Sequence, residues 1–259
     1  MMIWILLSVV VFVGLFFFFF KKKDADQKKQ STKAMGIDLH SCLEHHVLFY
    51  QKLDAQNQIK FRTKAINFLE ETSIEAVQFE LEDLDKVLVA ASAVIPVFYF
   101  EFWEYHNLSS VIIYPDYFNK DLCFKGENRN IAGLVSTGKF ENQMILSRKA
   151  LHHGFSNQSD KNNTAIHEFV HLIDKADGKI DGIPKVLLAQ NYVLPWLGLI
   201  HQKMEEINRN KSDIRAYGGT SQIEFFAVAA EYFFERPKLL KRKHPDLYHM
   251  MENCFGRLE

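Results

Sequence analysis

Hydrophobic and polar positions divide the chain into four stretches. Residues 2–20, "MIWILLSVVVFVGLFFFFF", are apolar without interruption by any charge. At ~1.5 Å per residue they make a helix roughly 28 Å long, close to the ~30 Å hydrocarbon thickness of a bilayer. Residues 21–35, "KKKDADQKKQSTKAM", are polar and free of aromatics, which predicts a tether. From about residue 36 to 107 the apolar positions recur at helical spacing. In "KFRTKAINFLEE", Phe61, Ala65, Phe68 and Leu69 share one face. "EDLDKVLVAASAVIPVFYF" continues as a long apolar segment in which Pro96 kinks or ends a helix.

After about residue 108 the period changes. "SSVIIYP" (109–115) and "NQMILS" (142–147) are short β-branched or apolar runs that predict strands, with the Gly- and Asn-rich 125–139 segment as the turns between them. Helical patterns return at 164–177, at 184–208 and at 223–237. The Asn162–Asn163–Thr164 cluster caps the first, Gly178 stops it, and Pro237 stops the last. Helices, then a small sheet, then helices make an α+β order.

Composition and charge narrow the picture. A formal net charge of -1 offers nothing to a phosphate backbone, so direct nucleic-acid binding is excluded as an expectation. Cys42, Cys123 and Cys254 are far apart and odd in number, which fits separate thiols in a reducing compartment. The apolar run lacks a preceding basic region and a small-residue cleavage pattern, so it reads as an anchor and not as a secretory signal. Lys21, Lys22, Lys23, Lys28, Lys29 and Lys33 all follow it. By the positive-inside rule the expected arrangement is a single pass through the inner membrane, with the rest of the chain in the cytoplasm.

The candidate chemistry lies in "TAIHEFVHLIDKADG" (164–178). His167 and His171 are four residues apart and project from one helix face. Neutral imidazoles suit zinc, and a third protein ligand leaves an open position for water. Glu168, next to the first histidine, is placed to act as general base on that water. Ile166, Phe169, Val170 and Ile173 make the helix strongly apolar, and a buried histidine pair needs partners that a metal supplies.

Glu224 is the candidate third ligand. It opens the "EFFAVAAEYFF" helix, although Ser221-x-x-Glu224 also matches a capping box. Glu231 lies two turns on along the same face and is expected to orient a ligand histidine. Asp174 shares the face of both histidines, which suggests a supporting role. Two rivals fit the spacing less well. Asp177 sits ten residues after His167 but without the glycine that would break the helix, and Asp213 lies one residue too far from Tyr217–Gly218.

With these residues assembled, the chain resembles the Mlc titration factor A family of zinc-dependent peptidases. The likeness rests on "IHEFVHLID" and "YGGTSQIEFFAVAAEYFFERP", with weaker echoes in "RTKAINFLEETSIEA" and "SSVIIYPDYF". The resemblance implies a zincin-like fold with an added helical N-terminal part. It implies one Zn2+ per chain on His167, His171 and Glu224, with Glu168 as the catalytic carboxylate. The last helix is also similar to that of the anthrax lethal factor protease domain. There a tyrosine seven residues before the glutamate ligand stabilises the oxyanion, a position held here by Tyr217. That protein has a carboxylate where this chain has Val228, and the membrane anchor is a further departure.

The reading is therefore a metallopeptidase anchored through residues 2–20, acting on peptides or proteins at the cytoplasmic face of the membrane. "ENQMILS" is the strand expected to offer its edge to the substrate. The competing reading is a binding protein that sequesters a transcriptional repressor at the membrane.

Overall fold

The computed structural model describes residues 37–135, 141–157, 159–188 and 192–256. The expected anchor and tether lie outside these residues. Among the described residues no helix is long and apolar enough to cross a membrane.

Three helices come first: α1 (Leu39–His46), α2 (Leu48–Gln51) and α3 (Ala55–Glu71). Asp54 starts α3 by accepting the Asn57 N–H at 2.8 Å, the usual remedy for the orphaned donors of a first turn. Phe61, Ala65 and Phe68 are buried along one face, as their spacing predicts, and Leu69 is only partly covered. Helix α4 (Asp83–Val94) begins with a reciprocal capping pair between Glu82 and Asp85 and is buried from Val87 to Val94. Pro96 then lies in a 3-10 turn, Ile95–Val97, that ends the helix.

Four strands form one sheet in the order β1-β2-β4-β3, with β1 at Ser73–Ala76, β2 at Ser110–Tyr114, β3 at Gly133–Val135 and β4 at Gln143–Ser147. β1, β2 and β4 run parallel, and β3 is antiparallel to β4. The expected strands are β2 and β4. β1 lies inside the part expected to be helical and pairs with β2 beyond residue 107, so the sheet spans the expected boundary. Both missed strands are too short to show a period.

One expectation is overturned. The "ENQMILS" strand is not an edge: β4 is flanked by β2 and β3, and Met144, Ile145 and Leu146 are all buried. A continuous apolar run is what an inner strand covered on both faces requires. The edge on that side is β3.

Helix α5 (Arg148–Ser156) follows β4 directly, and its Arg148 and His152 both bond the fully buried Asp85 carboxylate, at 2.8 and 2.6 Å. Helix α6 (Thr164–Asp174) carries the histidines and is buried on every side from Ala165 onward. Helix α7 spans Val193–Asn208, starting later than the 184–208 pattern suggested. Helix α8 (Gln222–Glu235) packs across α6.

Pro237 does not close the helical region. It is the first residue of α9 (Pro237–Lys243), and Pro245 starts α10 (Pro245–Phe255). Proline lacks the N–H that a first-turn position leaves unpaired anyway, so the same residue stops one helix and opens the next. Phe226 of α8 stacks on Phe255 of α10, with centroids 5.7 Å apart and planes 6° apart.

The core reaches the site through Phe169, which neighbours Glu168 and is fully buried between Phe68 (5.6 Å) and Tyr105 (5.2 Å). Replacing Phe169 by Ala removes this junction and leaves a cavity. The expected cost is about 3–5 kcal/mol, read as a lower denaturation midpoint in urea. An unchanged midpoint would show that Phe169 does not tie the N-terminal helices to α6.

Candidate metal centre

Asn163 begins α6 by accepting the Ile166 N–H on its side-chain oxygen at 3.1 Å. One turn of helix then brings the His167 and His171 rings to 4.6 Å between centroids, with their Nε2 atoms 3.0 Å apart. Glu224, in the first turn of α8, places Oε2 2.9 Å from His167 Nε2 and 3.6 Å from His171 Nε2. Ser221 does cap α8, accepting the Glu224 N–H at 3.2 Å. The Glu224 carboxylate, however, faces the imidazoles and so is not used to close a capping box.

Three potential ligand atoms thus form a triangle with edges of 2.9, 3.0 and 3.6 Å. Metal bonds of about 2.0–2.1 Å at tetrahedral angles would set neighbouring ligands roughly 3.3 Å apart. Two imidazole nitrogens and a carboxylate, nearly at that spacing and mostly buried, fit a metal ion. Asp177 and Asp213 are not members of the group. Asp177 accepts the Lys179 N–H in a 3-10 turn. Asp213 accepts bonds from Tyr232 and His244, each at 2.8 Å, and pairs with Lys161 and Lys243. Burial opposes ionisation of Asp213, but these donors hold its carboxyl well below the usual range.

The fully buried Glu231 organises the surroundings. Its Oε1 accepts from His167 Nδ1 at 2.8 Å and from the Arg215 guanidinium, and its Oε2 accepts the Asn163 N–H at 2.6 Å. A carboxylate only accepts, so it keeps a proton on Nδ1 and aims Nε2 at Glu224 and His171. Burial would lower the His167 pKa. Glu224 and Glu231 outweigh that and raise it to about 10. Glu224 is in turn held well below its ordinary value, burial being overcome by the two imidazoles.

Glu168 is 6% exposed, and burial raises its pKa against the pull of His167 and His171. The edge strand β3 passes directly over it. A Cβ built on Gly133 would fall 2.7 Å from the Glu168 side chain and 2.8 Å from Thr164, so any larger residue there must displace one of them. Tyr217 comes from the 3-10 turn Ala216–Gly219, half exposed, with its ring stacked on His167 at 5.9 Å and 29°. Burial and the adjacent Glu224 carboxylate push its phenol up to about 12.

Asp174 does not hydrogen-bond either histidine. Its Oδ2 accepts the Gly182 N–H at 2.8 Å, and burial raises its pKa to about 6. Gly182 has φ +74° and gives its carbonyl to Trp196 Nε1 at 2.8 Å. A Cβ there would lie 2.4 Å from the Gln222 carbonyl oxygen. The loop after α6 is therefore wedged against the start of α8, fixing Glu224 relative to the histidines. Sequence reasoning missed Gly133, Gly182 and Arg215. Arg215 carried only one faint signal, its position two residues before Tyr217.

A sequence model of the family described as "Glucose-regulated metallo-peptidase M90" matches residues 21–256. The chain belongs to that family. Its relatives include the Synechocystis protein slr2042, 27% identical over 80% of this chain and 79% of its own length. Proteins named Mlc titration factor A are also similar. The one from Escherichia fergusonii is 28% identical over 79% of this chain and 81% of its own, and the one from Escherichia coli K12 is 27% identical over 83% and 81%. M90 membership makes the protein metallopeptidase-like and points to a metal cofactor. The triangle of His167, His171 and Glu224 is the candidate place for it.

The Glu231→Gln variant should lose metal affinity by about 10- to 100-fold while its far-ultraviolet circular dichroism stays unchanged. Equal affinity would show that the bond to Nδ1 does not matter. With Glu224 and Glu231 raising its pKa to about 10, metal-free His167 holds a proton on both ring nitrogens near neutrality. A ligand Nε2 must be bare, so metal loading should release the Nε2 proton and leave the one on Nδ1. Calorimetric titration in two buffers of different ionisation enthalpy should give heats that differ accordingly; identical heats would contradict the assignment.

Proposed function

We propose that the protein is a membrane-anchored zinc metallopeptidase of the HExxH…E type, built on a zincin-like domain and hydrolysing peptide bonds on the cytoplasmic side. The observation that carries this reading is the convergence of His167, His171 and Glu224 beside the buried carboxylate of Glu168, which bonds the Val135 backbone and is not one of the three. His167, His171 and Glu224 hold the zinc, one ion per chain. Zinc in that position supplies Lewis acidity toward a scissile carbonyl and a neighbouring water.

The chain's own groups carry the proton traffic. Glu168 takes a proton from the attacking water on its carboxylate oxygen and passes it to the leaving amine nitrogen. Burial raises its proton affinity, which suits a group that must first gain and then give up a proton. Tyr217, with its phenol pushed up to about 12, stays protonated near neutrality and can donate to the developing oxyanion. Glu231 positions His167 and, through Asn163, the start of α6. Asp174 supports the same geometry through Gly182 and not through a histidine. β3 is the edge along which an extended peptide would lie, taking the place that the buried β4 cannot fill.

Residues 2–20 supply the anchor in this reading, and the lysines from Lys21 to Lys33 orient it. A second reading rests on the name of the relatives, Mlc titration factor A: a regulatory protein that holds a transcriptional regulator at the membrane. The two separate on deletion of residues 1–20, since holding a partner at the membrane needs the anchor and hydrolysis of a small peptide does not.

The Glu168→Gln variant keeps the shape of the site and removes the base. It should bind metal like the parent and lose at least about 1,000-fold in kcat on any peptide the parent cleaves. Turnover at the parental rate would end the proposed mechanism.

A further inference from the structure

In front of Glu168 lies an open cleft of about 460 Å³, lined by His167, Glu168, Tyr217, Tyr117, Lys120 and Gly133 among others. Its charges are unevenly matched. Arg215 is ion-paired with Glu231. A divalent ion on the two histidines and Glu224 would be neutralised by Glu224 together with Glu168. Lys120 is left over. It is exposed, lines the cleft, and has no ion pair or hydrogen bond of its side chain among the described residues. The neighbouring Asp121 does not line the cleft.

Lys120 is also held in place by its backbone. Phe118, fully buried, exchanges both of its main-chain hydrogen bonds with Ile131, at 3.0 and 2.9 Å, two residues before β3. Asn119 then accepts the Leu122 N–H on its carbonyl at 2.9 Å. Its side-chain oxygen accepts the N–H groups of Asp121 and Cys123, at 3.0 and 2.9 Å. Leu122 adopts φ 59°, closing the turn. Lys120 therefore sits at the second residue of a turn held by these three hydrogen bonds and tied to the segment that leads into the edge strand. A cation presented this way loses less freedom on pairing than one on a loose loop.

We propose that Lys120 is a specificity residue that receives a substrate carboxylate close to the scissile bond, so that the site favours peptides acidic at that subsite. This inference rests on the peptidase reading above. Two sources share the chemistry: an Asp or Glu side chain, and a free C-terminus. A lysine without a partner among the described residues, next to a centre whose other charges cancel, selects for an anion and against an ammonium group.

The test uses the full-length, zinc-loaded protein and pairs of otherwise identical peptides. One pair differs by Glu or Gln at each position flanking the cleaved bond, and the other by a free or amidated C-terminus. The parent protein should favour the acidic member by about three- to tenfold in kcat/KM, less at high salt because the pair is partly solvated. In Lys120→Ala the acidic-to-neutral ratio should fall to about one, and in Lys120→Glu it should invert. The first peptide pair reports a side chain and the second a terminal carboxylate. Binding of the same peptides to the zinc-loaded Glu168→Gln protein, followed by fluorescence anisotropy, reports the preference without turnover. A preference in binding with no cleavage by the parent would refute the peptidase reading and leave the role of Lys120 standing. Equal rates and equal binding for both members of each pair, a ratio unchanged in Lys120→Ala, or no binding of any peptide would overturn it.

Discussion

A carboxylate with no exposed surface is costly unless every lone pair is used, and Glu231 is such a group. It sits on α8, in a helix otherwise made of Phe, Ala, Val and Tyr on its inner side. Its partners come from three places: the imidazole of His167, the backbone N–H of Asn163 at the start of α6, and the guanidinium of Arg215 just before the Tyr217 turn. Removing the carboxylate would strand a histidine, a helix-capping N–H and an arginine together. The two helices that carry the candidate metal ligands are thus registered against each other by a polar knot in an apolar contact. Glu224, two turns earlier on α8, reaches the histidines because that register holds.

The second constraint is steric. β3 crosses Glu168 closely enough that a side chain at Gly133 must displace a neighbour, and the loop after α6 touches the α8 backbone at Gly182. These contacts limit how far the helices can slide or part. They also bring the outer edge of β3 beside the general-base candidate, with the Val135 backbone bonded to the Glu168 carboxylate.

The candidate metal triad was legible in the sequence because two regular periods carry it. His167 and His171 are one turn apart, and Glu224 and Glu231 are two turns apart, so each pair must share a helix face. The apolar residues between them point those faces inward. The longer helices and the strands β2 and β4 were readable for the same reason, from runs long enough to show spacing. Position in the sheet was not. β4 reads as an edge candidate along the chain, and its interior place depends on β3, a neighbouring strand of three residues that is too short to show a period. Pro237 gave a local signal, a helix end, that was equally the start of another helix. Gly133, Gly182, Arg215 and Lys120 matter for what they face in space, and no local pattern records that.

The account turns on whether His167, His171 and Glu224 act as one metal site. Elemental analysis of the purified full-length protein and of its Glu224→Ala variant tests this most directly. The account predicts about one zinc per chain in the parent, with three protein ligands holding it, and little or none in the variant after dialysis. Zinc held equally by both proteins, or absent from both even after it is added back, would contradict it.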